Sequence, residues 1–371
     1  MGSLLCAGCV CGTTYEDIEF ACNGDADCAD GFKCVQGVCA RADCSTPGCS
    51  EPDGGAGGGS GGAGGSGGSG GGTGGGSGGS GGSGGGTGDA GVPSCSNIVG
   101  TRAQQVCLRW NCDRADMAEG TWSGSTTSCT PGDLTPAARA NALKILNTYR
   151  FLAQLPEVVT DPARDQKSQA CALMMDANNA LSHTPPSNWN CFTDAGYEAA
   201  GKSNISTGRA VRSIDLYMSD FGNDTTIGHR RWFLSNTLGP VGIGGTPGGS
   251  CHWVIGGSGN AGKSWMAYPP PGPVPLQAIA IPGLPSVDST GWTVQTYSAA
   301  YNLAGATVQV LDNGVNAPVT VTQLGNNYGS TYAIRFNPQG WTSTAGHTYD
   351  VTVTLANANT ITYQVQPVNC P

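Results

Sequence analysis

The chain has 371 residues, enough for two or three domains, with 26 Asp and Glu against 17 Lys and Arg, and 17 cysteines. A net charge of −9 leaves no basic patch to neutralise phosphates or grip an anionic membrane, which argues against nucleic acid as a partner. So many cysteines in a chain with only 12% charged residues point to disulfides, and hence to an oxidising compartment.

Residues 1–10 read as the remnant of a bacterial lipoprotein signal. Leu5-Cys6-Ala7-Gly8-Cys9 sets small residues before Cys9, a candidate for lipidation, although the basic start and apolar stretch of such a signal are missing. No run reaches the roughly 18 apolar residues of a transmembrane helix, so attachment to a membrane would be by a lipid anchor.

Residues 11–53 hold seven cysteines, from Cys11 to Cys49, and few large apolar side chains, so a disulfide-rich module is expected there. A calcium loop at Cys22 to Cys28 fails because Ala29 and Asp30 stand where the pattern needs a ligand and a glycine. Residues 54–94 are a Gly/Ser-rich flexible linker with nothing to bury, spanning roughly 30 Å on average.

Helices are expected next. Thr135-Pro136 caps one that carries Leu143, Leu146, Tyr149 and Leu152 at helical spacing. Asp161-Pro162 opens a second running toward Leu181 and His183, and a third spans about Arg209 to Asp220. Gly228 to Leu234 reads as a short helix, and Val241-Gly-Ile-Gly and His252 to Ile255 as apolar strands. Tyr268 to Pro275 is a proline-rich extended joint. Beyond it, Val- and Thr-rich alternating runs predict an all-β, immunoglobulin-like sandwich over residues 273–371.

Within residues 95–272, several features stand in a fixed order. Asn147 and Arg150 lie on the first helix, and His183 follows the second. Glu198 lies in Gly-Tyr-Glu-Ala-Ala-Gly-Lys-Ser-Asn-Ile205, then come Ala210-Val211, Tyr217-Met-Ser-Asp220 and Gly228-His229. This segment resembles the CAP (SCP/antigen 5/PR-1; cysteine-rich secretory protein) superfamily. The resemblance implies an α/β fold, an α-β-α sandwich, with His183, Glu198, Asp220 and His229 lining one cleft; Asp215 is the alternative for the second acid. Glu198 departs from the family's usual Gly-Glu-Asn, and the second acid is an Asp of shorter reach.

Two histidines and two carboxylates suit a divalent cation such as Zn, with His183 and His229 as ligands. The helix motif H-E-x-x-H of zinc peptidases is absent. Gly257 to Ser264 matches the phosphate-loop pattern, but Trp265-Met-Ala-Tyr and three prolines leave no room for the helix such a loop needs. His252 and His347 read as structural. The eight cysteines from Cys95 to Cys370 allow four bridges of undetermined pairing, two of them, Cys171 and Cys191, flanking His183.

The resulting expectation is an extracellular or cell-envelope module that binds a small lipid, glycan or protein ligand rather than an enzyme. The alternatives are a secreted metal-dependent peptidase with Glu198 as general base, and a structural, adhesive surface protein.

Overall fold

A computed structural model describes residues 98–371 and the backbone of two short antiparallel strands, β1 (Phe32–Val35) and β2 (Val38–Arg41). Cys9, most of the Cys-rich module and the Gly/Ser linker lie outside the described residues. The chain divides into two compact units, Met1–Pro93 and Ser94–Pro371.

The second unit opens with α1 (Arg102–Asp113), which the sequence reading overlooked. Its start is a capping box: Thr101 accepts from Gln104 N–H, and the Gln104 side chain accepts from Thr101 N–H. Its apolar stripe is short, with only Val106 and Trp110 buried.

The helices α2 (Pro136–Leu152) and α3 (Pro162–Asn178) start where Thr135 and Asp161 cap them, each with proline in the first turn. Then follow α4 (Asp194–Ala200), β3 (Ser203–Ser206), α5 (Ala210–Ser219), α6 (Gly228–Phe233), β4 (Gly242–Gly245) and β5 (Ser250–Trp253). The strands form an antiparallel sheet in the order β3-β5-β4.

Helix α3 covers one face of this sheet, and α2 with α5 the other. Glycine at Gly244 is required by the approach of α3, since a Cβ there would lie 2.2 Å from the Ser168 backbone. On the opposite face Ile243 joins Ile145, Leu146 and Ile214 in the core. Side chains of α3 also satisfy the free edge of β4. Asp165 accepts from Ile243 N–H (2.7 Å), and Gln169 bonds both Gly245 N–H (3.1 Å) and Gly245 O (2.9 Å). The result is a mixed α/β unit compatible with the α-β-α sandwich that the resemblance implies.

The remaining elements are β6 (Trp265–Tyr268), β7 (Gly272–Pro275), α7 (Leu276–Ile279), α8 (Val287–Thr290), β8 (Trp292–Thr296), β9 (Thr307–Asp312) and β10 (Val315–Asn316). They continue with β11 (Val319–Gln323), β12 (Tyr332–Pro338), β13 (Tyr349–Thr354) and β14 (Thr360–Val368). One sheet has the order β10-β9-β13-β14-β7, the other β11-β12-β8-β6. Alternate residues of β13 and β14 are buried, as period-two patterning requires. Trp292 meets Tyr349 (5.7 Å between ring centres) and Trp265 meets Tyr363 (5.5 Å), so the two sheets share one core.

The proline-rich stretch is extended, as expected, and is neither helix nor central strand. It enters a sheet as β7, pairing in parallel with β14 at an edge where Pro273 and Pro275, lacking N–H groups, leave no central ladder bond unmade. Strand β6, before this stretch, belongs to the four-stranded sheet, and one apolar cluster runs from Ile145 and Ile214 through Tyr268 to Val294 and Val351. The Cys107–Cys370 disulfide joins α1 to the residues after β14, and Cys129–Cys191 and Cys171–Cys251 staple the helical part. Among the described residues no helix is long and apolar enough to cross a membrane.

Candidate functional site

Helix α5 ends at Asp220, whose left-handed backbone (φ 54°) turns the chain into a tight loop; α6 then starts at Gly228. This places the Asp220 carboxylate, 1% exposed, under the first turn of α6. Oδ1 accepts from His229 Nδ1–H (2.8 Å) and Asn223 Nδ2 (3.2 Å), and Oδ2 accepts from Arg230 N–H (3.1 Å).

Tyr217, one helical turn before Asp220, brings its ring to 5.0 Å from the His229 ring, and Asn204 of β3 donates to His229 O (3.1 Å). The imidazole is thus oriented from several sides, with its side chain 27% exposed. A carboxylate on Nδ1 selects the tautomer protonated there, so Nε2 is the atom left to accept a proton, a ligand hydrogen bond or a cation.

The residues after His229 fix this geometry. Arg230 is fully buried and donates to Met218 O (2.7 Å), Ser219 O (2.9 Å), Thr290 Oγ1 (2.9 Å) and Gly291 O (2.7 Å). Arg231, also buried, donates to Thr226 O (3.0 Å), Gly325 O (2.7 Å) and Ser330 Oγ (2.9 Å). Arg150 does the same for Pro156 O and Phe233 O. Burial pulls all three guanidinium pKa values down to about 10, still charged at neutral pH. They act as pins: Arg230 holds the end of α5, and together Arg230 and Arg231 bind α6 to the β-sheet segments.

His183, Glu198 and Asp215 each have bonds of their own. His183 is exposed in the loop after α3, its Nδ1 on Ala200 O (2.8 Å). Glu198 lies on the exposed face of α4 and pairs with Lys167 (2.6 Å). Asp215 is buried and bonded to Arg114 and to Tyr149 Oη–H (2.7 Å), tying α5 to α2 and to the residue that ends α1. It is therefore spoken for, and Asp220 is the acid that meets His229. Among the described residues no three His, Cys, Asp or Glu side chains gather as a metal site.

The strand pairing places two further residues beside this pair. Asn204 reaches His229 only because β3 pairs with β5, so the register rather than the motif places it. His252 is buried on β5, against Tyr217 (5.4 Å) and Phe233 (6.1 Å). Its ring makes no hydrogen bond of good geometry; burial pushes its pKa down to about 3, a shift the nearby Ala210 peptide only tempers. It is a neutral imidazole packed against Tyr217, the ring that meets His229.

The phosphate-loop match is followed directly by strand β6, so no helix N-terminus follows Lys263-Ser264 to face a phosphate. Cavities of about 390 and 290 Å³ open elsewhere, and neither is lined by His183, Glu198, Asp220 or His229.

The model of the CAP family, the Cysteine-rich secretory protein family, matches residues 143–255. That span contains all four residues of the expected cleft and runs from within α2 to just past β5, leaving α1 and every strand from β6 onward outside it. No curated protein and no solved structure matches the chain.

Proposed function

We propose that this protein is an extracellular or cell-envelope binding module whose ligand meets the Nε2 atom of His229. The observation that carries this reading is the Asp220–His229 pair, a partly exposed imidazole anchored through Nδ1 on a buried carboxylate. Disulfides such as Cys107–Cys370 and Cys171–Cys251 fit an oxidising compartment, and the CAP match over residues 143–255 fits a secreted protein.

His183 has the same preparation, its Nδ1 on a backbone carbonyl and its Nε2 without a partner among the described residues. Histidines that bind metals are tied in this way through the other ring nitrogen. A divalent cation would find a nitrogen donor at Nε2 of His229, with His183 a second imidazole prepared in the same way. Because no three His, Cys, Asp or Glu side chains gather among the described residues, further ligands would come from solvent or the bound molecule. A bound cation would supply charge to hold a carboxylate or hydroxyl of that molecule.

Glu198 does not serve as a general base in this reading, since its partner is Lys167 on the exposed face of α4. Binding is therefore favoured over peptide hydrolysis.

Imidazole ¹⁵N correlation spectra test the anchoring. His229 should show the Nδ1–H tautomer at neutral pH, and Asp220→Asn, tolerated at a left-handed position, should mix the two tautomers. An Nε2–H tautomer in the wild type would refute it.

A further inference from the structure

His347, far from His229 in sequence, has its own carboxylate: Nδ1 lies 2.8 and 3.0 Å from the two oxygens of Asp312 on β9. The pair lies at the edge of the five-stranded sheet, on the wall of the cavity of about 390 Å³. Trp341, Asn316, Gln339 and Val315 also line that cavity.

The chemistry of this lining selects a ligand class. Trp341 stacks on Tyr349 (5.1 Å, 16°) and donates Nε1–H to Pro318 O (2.8 Å), so it offers the cavity carbon surface and no donor. Asn316 makes no side-chain hydrogen bond among the described residues, and Gln339 uses only its Nε2, on Asn337 O and Pro338 O. With Nδ1 on Asp312, His347 keeps Nε2 as an acceptor.

Among the described residues no Lys or Arg lines the cavity, which leaves a phosphate or carboxylate without a counter-charge. A lipid chain would desolvate the Asn316 amide, Gln339 Oε1 and His347 Nε2 without supplying partners. Strand β10, at the sheet edge, has only two residues, too few to pair with an added peptide strand. A neutral sugar fits each group: its C–H face lies on an indole, and its hydroxyls both donate to carboxylate, amide and imidazole acceptors and accept from amide N–H.

We propose that the Trp341–Asp312–His347 cavity is a saccharide-binding subsite for neutral glycans, separate from the His229 site and independent of the function proposed there. The test is calorimetric titration of the full chain with neutral tetrasaccharides of β-glucan, chitin and xylan type. At least one should bind, and Asn316→Ala, a surface change with no fold consequence, and Trp341→Ala should each weaken it about tenfold, which is about 1.4 kcal/mol. If Trp341→Ala unfolds, Trp341→Phe replaces it, with a smaller loss expected. Absence of binding by all three sugars, or binding that both pocket variants leave unchanged, would overturn the proposal. His229→Ala should leave sugar binding untouched, so failure of one site is distinguishable from failure of the other.

Discussion

At the scale of single residues, two buried titrating groups oppose each other. His252 stays neutral because burial lowers its pKa to about 3, so below about 6.5 the unfolded chain binds the extra proton and stability falls with acidification. Asp165 is raised to about 6, first by burial, with the Ile243 peptide and Arg139 offsetting only part of the effect. Here the folded chain binds the proton first, and acidification between about 6 and 4 stabilises.

Separating the two is direct. Relative to wild type, His252→Phe should gain stability as pH falls from 6 to 4, by as much as about 1.4 kcal/mol per pH unit, and Asp165→Asn should lose it. Urea unfolding at several pH values measures both slopes, and parallel curves for the three proteins would show that neither group titrates as described. The sequence shows His252 as structural, but the titration of neither residue was legible in it. His252 is a lone histidine in an apolar run, and Asp165 looks like an ordinary first-turn acid; only strand pairing and the packing of α3 on β4 bury them.

At the scale of elements, caps and periodicity made α2, α3 and α5 readable because Thr135, Asp161 and the Leu, Ile and Met spacings act locally. Helix α1 was missed because it buries little of its own surface and depends on the rest of the fold, with Arg102 donating to Phe151 O and Cys107 bridging to Cys370. The resemblance implies a cleft position for Glu198; Thr193 caps the short helix that carries it, its carboxylate pairs with Lys167, and Asn204 on the next strand donates to the His229 carbonyl.

The Gly-His-Arg-Arg helix, in contrast, was read correctly as an element but not as a joint. Arg230→Ala would leave the carbonyls of Met218, Ser219 and Gly291 without their donor in a dry interior, at a cost of about 3 kcal/mol or more. Arg230→Lys should recover only part of this, because an ammonium cannot span the same fork. Denaturant midpoints check the order wild type, Lys, Ala; a Lys variant equal to wild type would remove the pin.

For the molecule as a whole, residues 94–371 form one compact unit although the family match covers residues 143–255. The change of texture near residue 270 predicts a boundary there, while Trp265, Tyr268 and Val274 join one core with α2 and α5. A chain cut after residue 255 should therefore fail to fold, and the intact unit should melt in a single calorimetric transition; two separated transitions would mean that the helical part and the sheets are independent.

The central claim concerns a single atom, Nε2 of His229. Calorimetric titration of the full chain with Zn²⁺ tests it most directly, comparing wild type with Asp220→Asn and with His183→Ala/His229→Ala. The expected result is a binding component in the wild type that weakens at least about tenfold when Asp220 no longer anchors the ring and disappears in the double variant. Equal heats in all three proteins would contradict the account.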